Sequence, residues 1–454
     1  MTTITITQTF TSKTRNGGGG TPPSNITAAV ISGSSVIGSV LTTTDGTWAG
    51  TLPITYTYQW KRNSSDIVGE TNATYTLVVA DYSNNITCLV TATNAFGTDS
   101  VTSNTIIGTA TAPVNTVAPV ISGTAVVGQT LSSTTGTWTG TPTITYAYQW
   151  KRNGSNISSA TSSTYTLVQA DATFAITCAV TATNVAGSAE ATSNSLTILD
   201  ADANAFLAAA VITDTTQVNA VNQLTVDLKN ASIWTKMKAV YPFVGGTATT
   251  HKWNLKDPQD TNAAYRLTFT GGWTHSSTGA LPNGTNGYSD TFLNANTILQ
   301  QFSHHHAFYH NTDNSGTGNR SIGGAQTSAS VNFRTTIETS GTSLTFRDLG
   351  ISNGETGLTA STLKGFRASS RTANNNIFIV KADGTSTTST TTTATNALPA
   401  VTCYVGAHNN SGAAANYAIM SIAFHSIGDG LSTAEGLSLR NAVQTFETTL
   451  GRNV

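Results

Sequence analysis

Charge is the scarcest feature of this chain: 21 Lys and Arg and 22 Asp and Glu make up 9% of its 454 residues, where about 25% is usual. The near-even balance, −1 overall, argues against a basic nucleic-acid binder and against an acidic tail. Cysteine is almost absent too. Cys88, Cys178 and Cys403 are too few and too scattered for a disulfide framework or a thiolate zinc site, so stability has to come from burial. No run approaches the ~20 apolar residues that cross a bilayer, and no membrane insertion is expected. The opening MTTITITQTF lacks the basic end and apolar core of a secretory signal, so any export is expected by another route. What is present instead is Thr, Ser, Asn, Ala and Gly, with hydrophobic residues at 38%, too many for a disordered chain. The length corresponds to about three domains.

An internal repeat organises the first half. Residues 46 to 97 return at 136 to 187 without a gap, so that Trp48 maps to Trp138, Trp60 to Trp150, Tyr75 to Tyr165 and Cys88 to Cys178. Each copy has short runs rich in Thr, Val, Ile and Tyr, broken by Gly, Asn and Asp, the pattern of a β-sandwich. Alternation puts Tyr56, Tyr58 and Trp60 on one face of their strand, and Ile86, Cys88, Val90 and Ala92 on one face of theirs. Ahead of the repeats, four glycines at 17 to 20 and two prolines read as a flexible arm. They are not a phosphate loop, because no Gly-Lys-Ser/Thr follows.

The motifs G-T-W-x-G, Y-x-Y-Q-W-K-R-N, T-Y-T-L-V and I-T-C-x-V-T-A-T-N-x-x-G resemble the immunoglobulin-like repeats of bacterial and phage proteins. The match covers roughly residues 25 to 199. Trp60, Cys88, Trp150 and Cys178 then belong to the structural core. Leu41 and Leu131 stand where an antibody domain has its partner cysteine, and Ile86 and Ile176 stand at the tyrosine-corner position. No intradomain disulfide is therefore expected, and both thiols are expected to be buried and inert.

After Leu199 the texture turns helical. Asp202 or a neighbour is placed to cap ANAFLAAAVI. Thr213 or Asp214 is placed to cap TTQVNAVNQLTVDLKN, whose Val218, Val221, Leu224 and Leu228 share a face. From Trp234 to about residue 428 strand-like runs return. The chain closes with a helix opened by a Ser432/Glu435 capping box and stopped at Gly451, with Leu439, Val443, Phe446 and Leu450 as its buried stripe. That helix is expected to dock on its own sandwich rather than to bundle with copies of itself. The segments 233–258, GGWTHSSTG, PNGTNGYSDT and DGLSTAEGLSL are similar to the C-terminal region of phage virion proteins with concanavalin-like (laminin G-like) jelly rolls. The expected fold is mainly β: two tandem immunoglobulin-like β-sandwiches followed by a larger antiparallel jelly-roll sandwich with flanking helices. The expected divisions are a flexible arm at 1–24, immunoglobulin-like domains at 25–112 and 113–199, a helical connector at 200–232, and the jelly-roll domain at 233–454.

Candidate chemistry is sparse. Sugar hydrolysis needs two carboxylates about 5–10 Å apart. The strand-borne acids Glu338, Asp348 and Glu355 do not form such a set. Neither Gly-x-Ser-x-Gly nor His-Glu-x-x-His occurs, so no enzyme and no catalytic residue is expected. The run HHHAFYH offers His304 and His306 to a metal from a strand, or His306 and His310 from a helix; two imidazoles make a weak site, and a polar, partly buried strand or interface cluster is the alternative. In a symmetric oligomer these histidines would ring an axis and make assembly pH-sensitive. NTDNSG at 311 to 316 starts like a calcium loop, but Ile322 falls where the bidentate Glu belongs. No cofactor is expected, loop-bound calcium being the one left open. Trp273, His275 and Tyr288 lie in Gly/Asn-rich segments where aromatic faces stack on sugar rings, or else belong to the core.

The resemblance implies a bacteriophage virion surface protein, a tail fibre, head fibre or other appendage. The arm would anchor it to other virion proteins, the immunoglobulin-like pair would act as spacer, and a lectin-like domain would face host-surface or mucus glycans. A homotrimer is implied by the habit of fibre proteins. Capsid decoration without a specific receptor, and a secreted bacterial glycan-binding adhesin, are the alternatives.

Overall fold

The computed structural model describes residues 19–312, 318–328, 331–339, 344–346, 355–358, 364–373, 376–389 and 397–453. The chain is mainly β, with two tandem immunoglobulin-like sandwiches and a larger two-sheet sandwich flanked by helices. The expected anchoring arm lies mostly outside the described residues.

In the first module the strands Thr55–Arg62 and Asn85–Asn94 pair antiparallel with Trp60 opposite Cys88. Residues opposite each other in a ladder share a face, so the indole and the thiol sit side by side. Leu41, on the strand Val40–Thr43 of the facing sheet, joins the same fully buried cluster. The second module repeats the register, Trp150 opposite Cys178, with Leu131 in the facing sheet. Both cysteines are free and buried; burial pushes each thiol's pKa up, which keeps it unreactive. A second anchor replaces the tyrosine corner. The Asp81 carboxylate, wholly buried, accepts from Arg62 Nε at 2.6 Å, from the Tyr75 hydroxyl at 2.7 Å and from the Val78 N–H at 2.8 Å. Asp171, Arg152, Tyr165 and Val168 repeat it.

The modules abut with no linker. Ala110 packs on the core of the first, and the N–H of the next residue, Thr111, already donates to Thr141 Oγ1 in the second at 2.7 Å. Thr21 makes the same bond to Thr51 at the start of the first module, and the strand Ser24–Thr27 follows. Thr21 to Pro23, expected in the arm, thus belong to the sandwich.

The third unit has three layers. A central sheet orders Trp273–Ser276, Gly279–Pro282, Ile422–Gly428, His304–His310, Gly365–Ala373, Asn376–Val380 and Ser386–Ser389, with Met237–Tyr241 also on Ile422–Gly428. An outer sheet runs Thr268–Thr270, Tyr288–Asn294, Thr402–Val405, Gly318–Ser328, His408–Asn410 and Ala413–Ala415, with Val331–Thr339 on Gly318–Ser328. The pairing between its strands is antiparallel except at one pair, where Gly318–Ser328 runs parallel to His408–Asn410. Helices cover the central sheet's other face. Asp200 caps Ala201–Ala210, where Asp202 or a neighbour was expected, and Asp214 caps Thr215–Asn230. Val221, Leu224 and Leu228 share one core with Phe366, Phe378 and Phe424 of the sheet and with Leu439, Val443 and Phe446 of the terminal helix Thr433–Thr449. The helices expected as a connector are therefore a layer of this domain. Because the central sheet is covered on both faces, His304–His310 and Ile422–Gly428 are buried at every residue, and their sequences lose the period-two alternation of a half-exposed strand.

Candidate functional site

The three candidate sugar-stacking residues lie where an edge of the central sheet meets an edge of the outer one. Trp273 and His275 stand two apart on an edge strand and stack at 6.1 Å between ring centres. Phe269, from the outer sheet's edge strand, meets both rings edge-on at 5.2 and 4.6 Å. The Trp273 Nε1–H is shared between the carbonyls of Thr270 and Tyr288, and its ring lies over Gly406. Trp273 and His275 come together as a half-buried plug of the sandwich edge. The Tyr288 ring stacks instead on Tyr404 at 4.6 Å. Ser289 and Val405, paired next to these rings in the ladder, share the other face, Val405 within the inter-sheet core, so the tyrosines lie on the sheet's outer face, Tyr288 half-buried and Tyr404 only 7% exposed.

Beneath the plug, the His251 and His275 Nδ1 atoms are 2.9 Å apart. The Gly246 N–H donates to His251 Nε2, so that nitrogen carries no proton and His251 must hold its proton on Nδ1 and donate it to His275. Burial, then the neighbouring His275 and Arg452, lower the His251 pKa to about 3; burial also lowers that of His275. Close by, a cleft of about 140 Å³ is bounded by Asp214, Gln217, Ser277, Thr278 and Arg452. Arg452 is already committed to Glu447 and to the carbonyls of Phe243 and Pro242.

The histidine run is interior, which removes the reading of histidines ringing an oligomer axis. His304, His306 and His310 alternate with His305 on a central strand, so the three face the outer sheet and His305 faces the helices. His306 Nδ1 meets the Thr335 hydroxyl at 2.9 Å, and its Nε2 meets His425 Nε2 at 2.5 Å. Gly323 makes this possible: a Cβ there would sit 3.3 Å from the His306 ring and 2.8 Å from a backbone carbonyl. Among the described residues no three His, Cys, Asp or Glu side chains converge as metal ligands. His251, His408 and His425 were not singled out in the sequence, since their partners are distant along the chain.

One pair looks nucleophilic, Ser321 Oγ at 2.9 Å from His408 Nδ1. Arg334 Nη1 lies 3.3 Å from His408 Nε2, and a guanidinium can only donate. His408 therefore keeps its proton on Nδ1 and gives it to Ser321, the reverse of a general base. Asp348, the side chains of Glu338 and Glu355, and the incipient calcium loop from residue 313 to 317 lie outside the described residues. No helix among the described residues is long and apolar enough to cross a membrane.

The arrangement defines a modular β protein: a tandem immunoglobulin-like pair ahead of a helix-backed sandwich. No family model and no curated protein matches the chain. Similar solved structures include the four N-terminal immunoglobulin domains of Dscam1, at 19% identity over 40% of this chain and 46% of that one, with a TM-score of 0.21. An I-band fragment of titin follows at 21%, 39%, 66% and 0.17. Three N-terminal domains of the highly immunogenic outer capsid protein of bacteriophage RB49 stand at 21%, 37%, 58% and 0.18. The chain covers less than two thirds of each. At these TM-scores the likenesses carry no weight, and the fold assignment rests on the registers described above.

Proposed function

We propose that this chain is a phage virion surface structural protein, a fibre or other appendage, that displays its C-terminal sandwich for contact with host or environmental glycans. The observation that carries the proposal is the clamp between the second module and the third unit. Asp200, with its side chain fully buried, caps the first helix while accepting from Lys229 Nζ at 2.7 Å and from Gln169 Nε2 of the second module at 2.7 Å. Asn222 ties the same junction, donating to the Ile198 carbonyl and accepting from the Asp200 N–H. A display protein needs its outermost domain held in one orientation, and a buried, fully bonded carboxylate at the joint does that. Sparse charge along two modules in series suits a spacer: the first holds Lys61 and Arg62 against Asp45, Asp66, Glu70, Asp81 and Asp99, and the second balances Lys151 and Arg152 with Asp171 and Glu190. The N-terminal arm is assigned to attachment to other virion proteins, and trimeric assembly to the mature fibre.

Within this reading the glycan-contact surface is the half-buried aromatic edge of Trp273 and His275 together with half-buried Tyr288, which Tyr404 backs from beneath, because sugar rings stack on aromatic faces flanked by hydroxyls and amides. The test is a glycan array probed with the full chain and with Tyr288→Ala, alongside mass spectrometry of purified particles. Binding lost in the variant and the chain present in particles is the expected result. The chain in particles with no glycan bound would leave a decoration protein; its absence from particles, with glycan bound, would make it a secreted adhesin.

A further inference from the structure

All eight histidines of the chain, His251, His275, His304, His305, His306, His310, His408 and His425, lie in the third unit, and the immunoglobulin-like modules have none. Four of them, His304, His306, His310 and His425, face the gap between the central and outer sheets. Among the described residues, no carboxylate faces these four rings. On the central sheet, register places Arg371 beside His304 and Arg367 opposite Phe308 on the same face, while Tyr241 stacks on His425 at 5.7 Å. From the outer sheet come Phe333 and Thr335, Gly323, Ser289 and Cys403. The charged groups acting on these four rings are the two arginines and other imidazoles; no carboxylate is among them. Asp290, on the outer sheet, acts on Tyr241 and Cys403 instead. His305, on the opposite face, does sense Asp429 and Glu435, and Lys236 as well. The His306 and His425 Nε2 atoms are 2.5 Å apart, so one N–H fits between them; a second in the same contact would set two N–H groups against each other.

We propose that the C-terminal sandwich is an acid-triggered element: proton uptake by the inter-sheet histidines parts its two sheets while the immunoglobulin-like pair stays folded. The sign follows from burial, which lowers His304 and His306 to about 3 and His310 to about 4, and puts His425 well below its usual value. Opened, each ring returns to about 6.5. The open state therefore binds more protons, so stability is full above pH 6.5 and is lost as the pH falls from there toward 4. Each ring that charges only when the sheets part multiplies the opening constant about tenfold per pH unit within that window. The proposal is independent of what the domain binds.

The test is segment-resolved hydrogen exchange on the full chain from pH 7 down to pH 4.5, corrected for intrinsic exchange. Strands His304–His310 and Ile422–Gly428 are expected to lose protection while Asn85–Asn94 and Ala175–Asn184 keep it. Protection of the first pair down to pH 4.5, or simultaneous loss in all four strands, overturns the proposal. His425→Gln removes one titrating ring and is expected to make the transition about tenfold less steep per pH unit. Should that variant not fold, calorimetry of the native chain in two buffers of different ionisation heat counts the protons. An uptake of about three or more supports the proposal, and fewer than two contradicts it.

Discussion

The immunoglobulin-like modules and the C-terminal sandwich bury polar groups in opposite ways. Each module allows one buried charge, Asp81 or Asp171, and surrounds it with an arginine, a tyrosine and a backbone N–H. Around it the core is Trp, Cys, Leu, Ile and Val. The C-terminal sandwich spreads polarity through its interior: imidazoles, Ser289, Ser369, Thr335 and two arginines lie buried between strands. A charge with an opposite partner resists a change of pH. Buried neutral imidazoles do not, and under the proposal above the difference makes one chain from two units with separate sensitivities.

The largest expected effect that would break this contrast is in the modules. Trp60→Ala empties the centre of the first core and should cost about 4 kcal/mol in denaturant unfolding of that module, leaving the C-terminal transition in place; a single shared shift would show the units are not separate. Asp81→Ala should cost about 3 kcal/mol, toward the low end for a buried pair, because Arg62 keeps partial access to water with its side chain 29% exposed. Asp171→Ala should match it in the second module. Gln169→Ala removes one bond of the clamp and should cost about 1 kcal/mol, with small-angle scattering showing a wider spread of particle dimensions. The smallest effect concerns the thiols. Since Cys88 and Cys178 are free, adding a reductant should leave the melting temperature unchanged, and any drop would reveal a bridge.

The two junctions sharpen the same comparison. Asp200 and Gln169 correspond by the repeat to Ala110 and Val79, so the clamp has no counterpart between the modules. Among the described residues no hydrogen bond or ion pair joins residues up to Ala110 to the second module, whose own bonds begin at Thr111. The chain therefore has one joint tied by a buried carboxylate, next to the C-terminal unit, and one joint without that tie.

The repeat made the modules legible, because Trp60 and Cys88 recur with their alternation intact. The helix ends were also readable: Asp214 and the Ser432/Glu435 box cap where local chemistry says they should. The Asp81 anchor was missed although a signal existed, since Arg62, Tyr75 and Asp81 all recur at 152, 165 and 171 in a chain poor in charge. The histidine run was read as a polar, partly buried strand or interface cluster, and the extent of its burial was not legible for a physical reason. A strand covered on both faces shows no alternation, so HHHAFYH did not show that both its faces are interior, and the partner His425 lies 119 residues away. Trp273 and His275 were found as a cluster, but that their rings lean on each other and on Gly406 depends on two sheet edges meeting.

The most direct test of the display account is a cryo-EM reconstruction of the phage particle with this chain located in it. The account predicts the C-terminal sandwich at the distal end, the immunoglobulin-like pair between it and the particle, and a constant angle at the Asp200 joint across copies. Immunoglobulin-like modules pointing outward with the sandwich against the particle, or a joint that varies from copy to copy, would contradict it.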